Sequence, residues 1–154
     1  HATVITPNLT EALLLLYGEQ GMKEKMELFS QMDETQQLKE TEKSGRELAD
    51  RFGLKSIVIT GVDVVCGDGS VKMGNLVIEE NEADWYFSIK EGGSYSGTGD
   101  LFASVLSAGM VKGISMKECV QKAIAFLARA IHDAVLEGTD RNDGVCFEKY
   151  LKML

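Results

Sequence analysis

The sequence is short of several things, and each shortage closes off a class of protein. It has one proline, Pro7, and no low-complexity tract, which speaks against a disordered chain. Its longest aliphatic run, Ala12–Leu16, falls far short of the ~20 apolar residues that cross a bilayer. No signal peptide is visible, and the expectation is a cytoplasmic protein with no membrane partner. The three cysteines, Cys66, Cys119 and Cys146, are odd in number, far apart and without a C-x-x-C pair. They read as reduced thiols rather than a disulfide framework or a zinc site. Basic residues are outnumbered, 16 Lys and Arg against 24 Asp and Glu, for a net charge of −8. A nucleic-acid binder needs the opposite balance on at least one face. Phosphate ligands stay open, because backbone N–H groups and a divalent cation can hold them without Lys or Arg.

What is present suits one ordinary globular domain: 154 residues, 44% hydrophobic and 26% charged. The chain opens His1-Ala2-Thr3-Val4-Ile5-Thr6-Pro7, straight into a strand, so the expectation is a sequence that starts inside a larger protein. Thr3–Thr6 reads as a short buried strand, and Leu9–Leu16 as a helix that Gly18 stops. Met22, Met26 and Phe29 fall at helical spacing. Asp33–Arg51 predicts a further helix with a stripe of Leu38, Leu48 and Phe52, ended by Gly53. Ser56–Thr60 is a continuous apolar run that fits a strand buried on both faces of a parallel sheet. Val62–Cys66, Val71–Met73, Leu76–Ile78 and Trp85–Ile89 read as separate short antiparallel strands or hairpins.

After Ser96 the pattern turns helical. Leu101–Met110 is apolar nearly all round. Ser115-Met116-Lys117-Glu118 is a capping box that opens a long helix, with Met116, Val120, Ile124, Leu127, Ile131 and Val135 on one face and Gly138 at its end. A short helix over about Val145–Met153 closes the chain. The order predicts a three-layer α/β/α domain with a hairpin insert, its first strands absent.

The segment richest in chemistry is Ser96-Gly97-Thr98-Gly99-Asp100-Leu101-Phe102-Ala103. Glycines before a helix let backbone approach a ligand closely. The first N–H groups of the helix lack partners within it and point out along the positive end of its dipole, where phosphate binds. A first-turn carboxylate beside such a site can accept a proton from an alcohol attacking a phosphoryl group. From these residues alone, a tight turn with an acidic helix start fits as well. Neither a P-loop nor G-x-G-x-x-G occurs, Phe102 standing where the third glycine of the latter would be. No G-x-S-x-G elbow is present, and His132 reads as a partly exposed surface residue with no metal or nucleophile constellation around it. Trp85, Tyr86 and Phe87 read as sheet packing, with the nucleotide site as the other use. Gly92-Gly93 fits a hairpin end or a mobile cover over a nucleotide.

Gly97-Thr98-Gly99-Asp100 resembles the signature of the ribokinase superfamily, and Asn8 and Glu11 of Thr6-Pro7-Asn8-Leu9-Thr10-Glu11 resemble its N-x-x-E element. The wider strings Ile5–Ala12 and Gly97–Ser104 are most similar to the pyridoxal/pyridoxamine kinase branch. Hydroxymethylpyrimidine phosphate kinases are the nearest competitor, but they usually carry Cys where this chain has Asp100. The resemblance implies a ribokinase-like (Rossmann-like) fold and covers residues 1–154 as the C-terminal, ATP-binding and catalytic portion of one domain. It implies that Asp100 is the base, that backbone around Gly97, Thr98 and Gly99 is an anion hole, that Thr60 and Gly61 contact the nucleotide, and that Asn8 and Glu11 help place Mg²⁺, partly through water. A monovalent cation (K⁺) near the anion hole, a homodimer when intact, and ATP and a B6 vitamer as substrates follow on the same ground. The N-terminal half, expected to hold the vitamin pocket, would be a partner of this chain. A piece of an intact kinase is the favoured account; one chain of a split enzyme and a non-catalytic nucleotide-binding module are the others.

Overall fold

The first β-branched run pairs with the second. In the computed structural model, which describes residues 2–80 and 82–154, β1 (Val4–Ile5) lies parallel to β2 (Ser56–Val65), Val4 opposite Ser56 and Ile5 opposite Ile57. His1, where the sequence opens, is outside the described residues. β2 is antiparallel to β3 (Val71–Glu79), and β4 (Glu82–Ile89) completes a four-stranded sheet in the order β1-β2-β3-β4. The chain divides into two compact units, His1–Phe87 and Ser88–Leu154.

In the first unit, α1 (Leu9–Ser30) is a helical run interrupted at Gly18, whose φ of 69° and ψ of −178° break it where the sequence predicted a stop. Helix resumes beyond it, with Phe29 buried and Met22 and Met26 packed on the core. That core joins Leu13, Leu16, Leu48, Ile57, Ile59, Leu76 and Ile78. α2 (Glu34–Phe52) begins at Asp33, which caps it by accepting from Gln36 N–H, and ends at Gly53 in the left-handed region. Its buried face differs from the predicted stripe. Gln37, Thr41, Ser44, Gly45 and Leu48 are buried, whereas Phe52 is 46% exposed. The reason is proximity. A Cβ on Gly45 would stand 2.6 Å from Ile78 Cδ1 and 3.2 Å from Ile59 Cδ1, so small residues face the sheet.

The strands are longer than the sequence suggested. β2 and β3 are each continuous where four short segments were expected. Gly61, Gly74 and Asn75 read as breaks but sit inside the ladder. Gly74 lies beneath Trp85 and Phe87, stacked with centroids 5.7 Å apart, and a Cβ there would come within 2.8 Å of the indole. Trp85 Nε1 donates to Glu42 at 3.0 Å.

The second unit pairs α3 (Thr98–Val111) with α4 (Met116–Glu137) and closes on a 3₁₀ helix, Glu148–Met153. Ser115 caps α4 by accepting from Glu118 N–H, and Gly138 ends it. The buried face is Met116, Cys119, Val120, Ala123, Phe126, Leu127, Ala130 and Ala134. It is rotated from the predicted aliphatic face toward small residues, leaving Val135 39% exposed. Gly109 of α3 packs directly on the Cys119 thiol, contact that larger side chains would prevent. Burial there pushes the thiol pKa up. Among the described residues, no helix is long and apolar enough to cross a membrane.

Candidate active site

Two clusters hold the residues singled out in the sequence, one in each unit. The first is at the carboxyl ends of β1 and of the buried half of β2, the place where ligands settle on open α/β sheets. Pro7 O accepts the Thr60 N–H at 2.9 Å, and Asn8 bridges Thr60 in parallel register. Asn8 is extended, then caps α1. Its Oδ1 accepts from Glu11 N–H, and Glu11 Oε2 accepts from Asn8 N–H, both at 2.9 Å. The N-x-x-E spacing is thus a reciprocal capping box, which fixes the Glu11 side chain at the exposed strand end. A surface depression of about 390 Å³ beside it is lined by Ile5, Thr6, Pro7, Glu11, Leu14 and Leu15.

Thr60 and Gly61 occupy a bulge. Ile59 faces Leu76 and Val62 faces Gly74, so two residues of β2 oppose Asn75 alone. Gly61 has φ of 63°, a region that costs a side-chain-bearing residue about 1 kcal/mol or more. Its N–H donates to Asn75 Oδ1 at 3.2 Å, and Asn75 is only 3% exposed. Asn75 was not anticipated. The available signal was an asparagine, a poor strand former, between Gly74 and Leu76.

The second cluster is the start of α3. Gly97 is its N-cap, at φ 79° and ψ −6°, and no side chain caps it. In α1, α2 and α4 an Asn8, Asp33 or Ser115 oxygen takes that role. Thr98 turns inward: its hydroxyl donates to Tyr95 O at 2.9 Å and its N–H points to the same oxygen at 3.4 Å. Leu101 N–H is satisfied by Gly97 O at 3.0 Å. Between them lie the N–H groups of Gly99 and Asp100, for which a helix offers no internal acceptor. A Cβ on Gly99 would meet nothing within 4 Å, and Asp100 is exposed. The arrangement leaves open backbone donors, helix-dipole charge and a carboxylate in one turn, the equipment for holding an anion and accepting a proton beside it.

Asn8, Glu11, Thr60 and Gly61 are therefore together in one unit, and Gly97, Thr98, Gly99 and Asp100 in the other. Trp85 is engaged with Phe87 and Glu42, and His132 Nδ1 lies 2.8 Å from Glu91 Oε2. Among the described residues no group of three or more His, Cys, Asp or Glu stands together as a metal cage. A Mg²⁺ site needs no such cage, since that ion keeps several waters and takes one or two carboxylates plus substrate phosphates. Glu11, exposed and held through one oxygen, fits that pattern.

An α/β chain with these strand-end and helix-start sites has the ribokinase-like kinase architecture, and comparison with known proteins bears this out. The profile of the phosphomethylpyrimidine kinase family matches residues 1–144. The chain belongs to that family. No curated protein matches it. Among solved structures it is similar to a Bacteroides thetaiotaomicron protein provisionally named a phosphomethylpyrimidine kinase, crystallised with pyridoxal: 27% identity and TM-score 0.77 over 98% of this chain and 48% of that one. It is also similar to the Staphylococcus aureus pyridoxal kinase in complex with pyridoxal, at 27% identity and TM-score 0.61 over 84% of this chain and 41% of that one. The Bacillus subtilis pyridoxal kinase in its ADP complex gives 26% identity and TM-score 0.58, covering 84% of this chain and 44% of that one. The expected ribokinase-like fold and the likeness to the pyridoxal kinase branch both hold. The chain spans about half the length of these relatives.

Proposed function

We propose that these residues are the C-terminal, ATP-binding and catalytic portion of a cytoplasmic, homodimeric kinase that phosphorylates the 5′-hydroxymethyl group of pyridoxal, pyridoxamine or pyridoxine. The observation that carries the reading is the start of α3: a left-handed Gly97, no side-chain cap, an open Gly99 and Asp100 in the first turn. In this reading the other half of the domain supplies the vitamin pocket.

In this reading Asp100 takes the hydroxymethyl proton, the freed oxygen forms its bond to the γ-phosphorus, and the bond from that phosphorus to the β,γ-bridging oxygen breaks to release ADP. The N–H groups of Gly99 and Asp100 hold the phosphoryl oxygens as charge shifts, and Gly97 sets the turn that aims them. Losing one such fixed donor costs about 3 kcal/mol of barrier lowering. Thr60 and Gly61 lie against the nucleotide. Bound Mg²⁺ would neutralise phosphate charge; Glu11 and Asn8 would hold it, partly through water. A monovalent cation such as K⁺ belongs near the anion hole by the family resemblance alone.

The family profile favours a second reading, hydroxymethylpyrimidine phosphate as acceptor. Asp100 in place of the Cys usual there, and pyridoxal in two of the similar structures, support the vitamin instead. The deciding measurement is ADP release by the intact kinase domain with each acceptor. Faster turnover of hydroxymethylpyrimidine phosphate would overturn the B6 assignment. ATP binding without turnover of either acceptor would favour a non-catalytic nucleotide-binding module.

A further inference from the structure

The segment that leads into α3 is fastened along its length to the end of α4 and the turn that follows. Glu91 Oε2 meets His132 Nδ1 of α4 at 2.8 Å. Gly92, at φ 61°, lies against Val135, where a Cβ would stand 2.8 Å from Cγ2. Gly93 lies beneath the Arg141 guanidinium, which a Cβ there would displace. Ser96 N–H donates to Arg141 O at 2.9 Å. Gly144, at φ 80°, backs onto the same residue, and a Cβ there would come 3.0 Å from Ser96 O. The turn is itself ordered: Asp143 N–H donates to Asp140 O at 3.0 Å and Asn142 N–H to Asp140 Oδ1 at 2.8 Å. Ser96 immediately precedes Gly97, the residue whose left-handed conformation starts the helix.

We propose that the Asp140–Gly144 turn, with Arg141 as its principal contact, is the positioning element for the phosphate-binding start of α3. Arg141 works from both ends: its carbonyl fixes the Ser96 backbone, and its guanidinium covers Gly93. The two glycines, which the sequence left open as a hairpin end or a nucleotide cover, permit this close approach. Held in this way, the backbone entering Gly97 has one direction, and so do the Gly99 and Asp100 N–H groups beyond it. The proposal rests on the phosphotransfer reading for its effect on rate, but its geometric content does not.

The test is a cycle in the intact kinase domain: Gly93→Ala, Arg141→Ala and the double variant, with kcat, KM for ATP, Tm and hydrogen exchange of the peptide covering 94–104. Gly93→Ala forces the guanidinium away, and small displacements of a reacting group can cost up to 10²-fold. The expected result is a kcat roughly 10- to 100-fold lower for Gly93→Ala and about 10-fold lower for Arg141→Ala, with Tm little changed. In the double variant the new methyl has room, so its kcat matches that of Arg141→Ala alone. Exchange of the Ser96, Thr98 and Leu101 amides, whose acceptors are Arg141 O, Tyr95 O and Gly97 O, rises in both single variants, whether or not the domain is active toward any acceptor. Unchanged exchange there, or a fall in Tm with kcat and exchange intact, overturns the positioning role. Raised exchange in a domain without kinase activity upholds it and removes the phosphotransfer reading instead.

Discussion

At the scale of single residues, Asp100 carries the sharpest expectation. Asp100→Asn keeps the size and the first-turn position while removing the proton acceptor, so kcat of the intact domain should fall about 10²- to 10⁴-fold with ATP affinity little changed. Steady-state kinetics with an ATP-binding measurement checks both halves of that statement. Glu11 and Asn8 separate a ligand role from a capping role. Glu11→Gln can still accept the Asn8 N–H, so folding should be retained while the Mg²⁺ concentration for half-maximal activity rises. Asn8→Ala loses the cap and should cost about 1 kcal/mol in a urea titration. Tyr17 offers a test by pH. Burial first, then the hydrogen bond it donates to Glu47 at 2.8 Å, pushes its phenol up to about 12. The folded value lies above the unfolded one, so protonated Tyr17 favours the fold fully below pH ~10, and the contribution is lost as pH rises through about 12. A spectrophotometric titration should show a late phenol step that Tyr17→Phe removes.

At the scale of elements, close approach decides more than hydrophobicity. Gly45→Leu should lower stability by about 1–3 kcal/mol or more, read from a denaturant midpoint, because the helix backbone leaves no space above Ile78 and Ile59. The same fact explains what the sequence showed and what it hid. Ser115, Gly53, Gly18 and Gly138 were legible as caps and breaks because that chemistry is local, settled within a few residues. Gly97–Asp100 was legible for the same reason. Phe52 and Val135 were misplaced because apolarity alone put them on the buried faces, whereas close approach puts Gly45 of α2 and Ala130 and Ala134 of α4 there. Gly61, Gly74 and Asn75 resembled strand breaks because their partners, each other across the bulge and the Trp85–Phe87 stack, are distant in sequence. Arg141 carried no sign of its contact with Gly93 for the same cause.

At the scale of the molecule, each unit has a core of its own, one built on β2 and α2, the other on Tyr95, Ala130, Ala134 and Val145. The sites proposed for ATP lie within these residues, while relatives of this family are about twice as long. The 154-residue chain alone should therefore bind nucleotide weakly and show no pyridoxal-dependent ADP release. On the proposed reading, supplying the other half of the domain in trans should restore turnover where the two halves re-form one sheet, since alignment of both substrates can contribute several kcal/mol. Robust turnover by the chain alone would show that it contains its own acceptor pocket.

The two-against-one pairing at Thr60 and Gly61 means that the chain is one residue longer than its sheet requires. Removing Gly61 would leave Thr60 opposite Asn75 and an unbroken ladder, and the alternation of faces would still send Val62 and Val64 to the core they share with Ile57 and Ile59. A deletion, ordinarily the harshest change a strand can suffer, would here keep every core side chain on its face and lose only the Gly61 N–H that Asn75 Oδ1 accepts. The variant should fold with a denaturant midpoint lowered by no more than the loss of that one hydrogen bond, about 1–3 kcal/mol, while the bulge at the proposed nucleotide edge disappears and ATP binding weakens. On the proposed reading, the extra residue at that position serves the nucleotide edge rather than the ladder.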